Sequence, residues 1–195
     1  MATKFPSTKR KFASEWDEID YLYHKILYWF YPVRDRAKAL KFSKRLESLL
    51  KRFASRHEAI FGEECWSLVY EVKGDLDKAI EHREREIKLI QRLWAISKDP
   101  PAKEIVRARY DASDLSDRYD LLAILYHERG DLDKAIQILI ESKAICDEHG
   151  IRFDGKDQLR EYLAEKDEQR LSDDSGPKKP KAKQRITSVA RTHAR

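Results

Sequence analysis

Reactive and rigidly bent features are scarce in this chain. Its 195 residues include only two cysteines, Cys65 and Cys146, with no CxxC spacing. That speaks against a disulfide framework or a thiolate zinc site and leaves two reduced, buried thiols as the expectation. Six glycines, mostly at helix ends, are too few for a Gly-rich phosphate loop. No run approaches the roughly 18 apolar residues of a membrane span. The near-continuous Val/Ile runs of a buried parallel sheet are missing too. The opening MATKFPSTKRKF is basic but no apolar stretch follows it. A secretory signal is therefore not expected, and a cytoplasmic, reducing location follows.

What is present is charge. Charged residues make up 38% and apolar residues 41%, a balance that suits amphipathic helices with heavily solvated outer faces. The net charge of +5 is unevenly spread: residues 1–14 hold four Lys/Arg and no acid, and residues 172–195 hold seven Lys/Arg against Asp173 and Asp174. The stretch 15–171 is left with 29 basic against 33 acidic residues. The body reads as mildly acidic, with its basicity in the ends.

Self-comparison gives one clear repeat. Val69–Ile80 matches Leu125–Ile136, and GDLDKAI is identical at Gly74–Ile80 and Gly130–Ile136. The block reads as a helix, a tight turn and a second helix. Basic residues close the first helix, where the macrodipole favours them. Gly74 or Gly130 supplies a left-handed position, and Asp75 or Asp131 caps the helix that follows. Ala79 and Ala135 leave room for two antiparallel helices to approach.

Apolar residues recur at helical spacing around both copies. They are Ile60, Cys65, Trp66, Val69 and Tyr70, then Ile80, Ile87, Ile90 and Trp94, around the first; and Tyr119, Leu122, Leu125 and Tyr126, then Ile136, Leu139, Ile140 and Cys146, around the second. Asp99-Pro-Pro breaks the chain between them, and Ser113 or Asp114 is expected to cap the next helix. Upstream, Ser14-x-x-Asp17 opens an aromatic-rich helix to about Phe30, and a second helix is expected from about Val33 to Ala54, giving a third, diverged hairpin. Downstream, Gly150 ends a helix, and a short capping helix follows at about Asp157–Leu171. The organisation expected is a basic disordered N-terminus (1–13), the aromatic hairpin (14–55), two further hairpins (56–98 and 115–150) joined by a loop (99–114), the capping helix (155–171) and a basic disordered tail (172–195).

The two repeated hairpins resemble the tetratricopeptide repeat, whose pattern is W-x2-L-G-x2-Y, then Ala, an aromatic and Pro. Tyr119, Leu122, Ala123, Tyr126, Gly130, Ala135, Leu139 and Ser142 stand at matching offsets in the second copy, with Asp147 in place of the final Pro. The first copy matches at Trp66, Ser67, Tyr70, Gly74 and Ala79. It then departs, with Arg83 where an apolar residue is usual and Glu86 where a small one is. The copies lie 56 residues apart rather than the usual 34 or so. The fold class expected is all-α: about seven helices in antiparallel hairpins, stacked as a short solenoid of this type or closed into a compact bundle. The resemblance implies a scaffold that presents a groove to a peptide or protein. One known version, a clamp built on Asn and Lys for a C-terminal carboxylate, is excluded, because the chain has no Asn and its positions read Leu68 and Ile124. A groove would instead be lined by Glu64, Leu68, Glu71, Asp120, Ile124 and His127, which suits a basic, apolar segment.

No reactive constellation emerges. The six histidines fit no metal spacing: His57-Glu58 lacks the second His of HExxH, and no Glu-x-x-His occurs. No cofactor, metal or catalytic residue is expected. The aromatics of the first helix (Trp16, Tyr21, Tyr23, Tyr28, Trp29, Phe30 and Tyr31) exceed one buried stripe. They either pack on two neighbours or expose a surface for a partner or for self-association. The tail offers Lys178, Lys179, Lys181, Lys183 and Arg185 as possible phosphate contacts. The function expected is a non-catalytic protein–protein interaction module. The alternative is a nucleic-acid-associated accessory protein that works through this tail.

Overall fold

Ser14 and Asp17 exchange hydrogen bonds, each side chain accepting from the other's backbone N–H, and this capping box starts α1 at Glu15–Phe30. The computed structural model describes residues 12–52, 59–96 and 110–174. Among them the chain is all α, with no strand. After α1 come α2 (Arg36–Arg52), α3 (Ala59–Lys73), α4 (Leu76–Ile96), α5 (Ala112–Glu128), α6 (Leu132–His149) and α7 (Lys156–Asp174). The N-terminal residues 1–11 and the tail from 175 onward, with its five candidate phosphate contacts, lie outside the described residues.

The repeated heptapeptide reverses the chain in both copies. Gly74 and Gly130 take φ of 82° and 88°, and the N–H groups of Asp75 and Asp131 donate back to the carbonyls of Tyr70 (3.0 Å) and Tyr126 (2.9 Å). That closure satisfies carbonyls a helix end would otherwise leave open. The Asp75 and Asp131 side chains accept from the N–H groups of Lys78 (3.3 Å) and Lys134 (3.1 Å), capping α4 and α6.

The same device occurs a third time. Asp35–Leu40 reads DRAKAL beside DLDKAI. The Asp35 carboxylate accepts from the Lys38 N–H at 3.0 Å, and Arg34 takes the left-handed position with φ of 59°. The second helix therefore begins at Arg36 and not near Val33, because a left-handed residue interrupts helical geometry. Two further boundaries differ from expectation. Asp111, rather than Ser113 or Asp114, caps α5, and Asp114 answers it as the other half of a capping box. And α7 runs to Asp174, three residues into the stretch read as tail.

Three antiparallel hairpins result: α1–α2, α3–α4 and α5–α6. Glu18 pairs with Arg45 and Glu15 with Arg52 across the first. Ser67 donates to the Ala79 carbonyl across the second at 2.9 Å. Ser116 meets Cys146 and Ser142 meets Asp120 across the third. The main contacts join successive elements, α2 to α3, α4 to α5 and α6 to α7, which is the arrangement of a stack. Ala39, Ala79 and Ala135 are all fully buried, each where the second helix of a hairpin comes close. One apolar core lies among α1, α2 and the Cys65, Leu68, Val69 and Val72 side of α3. The other joins Ile60 of α3 to α4, α5, α6 and Tyr162 of α7. Both thiols are free and buried within the stack.

The first helices of the hairpins run parallel in a row. Tyr23 and Tyr31 of α1 reach Glu64 and Glu71 of α3 in the same order, and α4 lies antiparallel to both α3 and α5. The start of α7, at Gly155, packs on Asp120, and Tyr162 stacks on His127. By its direction and neighbours α7 runs parallel to α5, at the end of the row among the described residues.

Candidate functional site

The two residues that break the repeat pattern come together at the centre of the row. Arg83 and Glu86 sit one turn apart on α4, at 3% and 0% exposure, with Arg83 Nη1 donating to Glu86 Oε2 at 2.5 Å. The second Glu86 oxygen accepts from Arg118 Nε of α5 at 2.8 Å, and Arg118 also lies 3.6 Å from Glu64 of α3. Glu64 in turn accepts from the Tyr23 hydroxyl of α1 at 2.5 Å. Two guanidiniums, two carboxylates and a phenol thus tie four helices together in a nearly dry interior. Burial weakens the charged form of Arg83, but Glu86 and Glu64 outweigh it and hold its pKa above the ordinary value. Burial draws Glu86 above the usual carboxylate range against the pull of Arg83 and Arg118. The Arg83 Nε–H has no hydrogen-bond partner among the described residues.

Beside this network Glu71 is 95% covered and accepts from the Tyr31 hydroxyl at 2.6 Å. Burial raises its pKa, and burial with Glu71 alongside raises that of Tyr31.

The six residues expected to line a groove fall into two sets. On α3, Leu68 and Glu71 are buried, and Glu64 is held by Tyr23 and Arg118. On α5, Asp120, Ile124 and His127 are only partly covered. His127 Nε2 lies 2.7 Å from a Glu165 carboxylate oxygen, and its ring stacks 4.2 Å from that of Tyr162. Asp120 accepts from the Ser142 hydroxyl at 2.8 Å. Burial, reinforced by the nearby Asp117 and Asp154 carboxylates, pushes its pKa up to about 6. Burial raises Asp117 in turn against the pull of Arg118, with Asp114, Asp154 and Asp111 adding to the rise. The α5–α7 end of the row is therefore acidic and only partly covered, by α7, and the α1–α3 end is packed on itself.

The aromatics of α1 belong to that packed end. Phe61 contacts both Trp16 and Tyr23, Lys38 lies over the Trp29 ring at 4.1 Å, and all but Tyr28 pack directly on the first core. Sequence reasoning missed the ionic network, although both α4 residues had already been singled out as departures from the repeat. What it lacked was the link to Arg118 and Glu64, which sequence spacing does not encode. Among the described residues no group of three His, Cys, Asp or Glu is placed to hold a metal ion. Comparison with family models, with characterised proteins and with solved structures gives no match.

Proposed function

We propose that the chain is a non-catalytic interaction module of the tetratricopeptide type, whose α5–α7 end takes up a basic, partly apolar protein segment. The observation that carries this reading is the clustering of Asp117, Asp120 and Asp154 beside the partly covered Ile124. Carboxylates that raise one another's pKa favour a cationic group brought among them, because it relieves their repulsion. Ile124 adds apolar contact in the same row, the combination that recognises an amphipathic helix or strand. The threefold recurrence of a left-handed residue, a capping Asp and a buried Ala supports the tetratricopeptide comparison.

The test is selection from a displayed library of short peptides on the immobilised full chain. Peptides enriched in Lys, Arg and Leu are expected. Their binding should weaken by about tenfold or more when Asp117→Lys and Asp154→Lys are combined, because attraction becomes repulsion at two exposed sites. A selected class that ignores these substitutions, or no selected class at all, would overturn the reading.

A further inference from the structure

The average charge of the body conceals one strongly basic helix. Residues 34–52 hold eight Lys/Arg against Asp35 and Glu47, while the rest of 15–171 holds 21 against 31. Of the ten exposed residues in this stretch, eight are Lys or Arg and the others are Ala37 and Ser48. Lys38, Lys41, Arg45 and Arg52 succeed one another three, four or seven positions apart and so share a side of α2, and the exposed Arg34 stands just before the helix. At 1.5 Å per residue the row from Lys38 to Arg52 runs about 21 Å. Three members of the row also meet carboxylates, Lys38 with Asp35, Arg45 with Glu18 and Arg52 with Glu15, at side chains that stay more than half exposed. Arg34, Lys41 and Lys44 form no ion pair among the described residues. As the outer helix of the first hairpin, α2 packs on α1 and α3, and its remaining side faces solvent.

We infer that this side of α2 binds the phosphate backbone of a duplex nucleic acid, without reading its sequence. Three chemistries would welcome a cationic row, and the composition of the face separates them. An anionic membrane surface takes helices that also insert bulky apolar groups, but Leu46, Leu49 and Leu50 are buried against α1 and α3. A protein partner is gripped by aromatic and apolar anchors amid the charge, and only Ala37 and Ser48 separate the cations here. A polyphosphate needs neither. It presents a charge every ~3.4 Å along each strand, so a ~21 Å row passes several phosphates and displaces their counterions. This inference is independent of the peptide-binding reading, which uses the opposite end of the stack.

The experiment is fluorescence anisotropy of the full chain with a labelled DNA duplex of about 24 base pairs across a salt series. The parent is expected to bind with log K falling linearly against log salt. The combined variant Arg34→Gln, Lys41→Gln, Lys44→Gln should bind about tenfold or more weakly at low salt, with its slope reduced by roughly three. Lys41→Arg with Lys44→Arg should bind as the parent does. Both variants should melt as the parent does, since the substituted side chains are exposed. In a background with Lys178, Lys179, Lys181 and Lys183 changed to Ser, the triple substitution should lower the slope by the same amount. A triple variant with unchanged duplex affinity and slope would overturn the inference. So would loss of binding to phosphatidylserine vesicles without loss of duplex binding.

Discussion

Arg83 and Glu86 stand where the second hairpin has Leu139 and Ser142, so the second copy supplies its own control for the first. Glu86→Ser alone removes the carboxylate shared by Arg83 and Arg118, which strands the Arg83 guanidinium in the interior and leaves Arg118 to Glu64 and Asp114. A loss of about 3–5 kcal/mol is expected. Adding Arg83→Leu removes the unpaired charge and its unpartnered Nε–H, leaving Arg118 to Glu64; the double variant should recover most of that loss. Chemical denaturation of the parent and both variants decides it, and equal destabilisation of single and double variants would contradict the network. Asp120 carries a pH signature. Its folded pKa lies near 6, above the ordinary value of about 4, so the neutral form is favoured in the folded state. Its contribution to stability is complete below pH ~4 and is lost as pH rises through 6. Asp120→Asn should therefore gain on the parent in melting temperature between pH 4 and pH 7.5. A difference that stays constant with pH would remove Asp120 as its source. The departures at 83 and 86 were visible in the sequence, but they read as a weakening of the pattern. Only the placement of Arg118 beside them shows that they replace an apolar contact with an ionic one.

At the scale of single elements, the turns offer contrasting tests of one geometry. Gly130 has φ of 88° and open space where a Cβ would sit. Gly130→Val should therefore cost more than about 1 kcal/mol through backbone strain rather than collision. Arg34 holds the left-handed position with a side chain, at φ of 59°. Arg34→Gly should stabilise by about 0.5–1 kcal/mol, strain relief exceeding the added freedom of the unfolded chain. Thermal melts check both, and an unchanged Gly130→Val curve would contradict the reversal. The third copy of the turn stands in the sequence as DRAKAL, but Arg34 occupies the place that glycine marks in the other two, so identity alone does not reveal it. Local chemistry was otherwise well expressed: the Ser14 capping box, the Gly150 stop and the end of α1 near Phe30 all follow from backbone satisfaction within a few residues.

Across the whole molecule, stability is shared by neighbours, since contacts join successive elements of a stack. Hydrogen exchange should be slowest in α3, α4 and α5, which pack on both sides. It should be fastest in the second half of α7, where Leu171 is 70% exposed; strong protection there would show that another element covers it. The sequence by itself determined the helical class, the hairpin reversals and the identity of most core positions, because periodicity, caps and left-handed glycines act over a few residues. Tertiary structure alone decided which charges are buried together, that the α1–α3 end of the row is packed on itself while the α5–α7 end is only partly covered, and that the basic side of α2 is the one left facing solvent. Those outcomes depend on how helices far apart in sequence rotate and approach, and the balance of burial against ion pairing is set only when they meet.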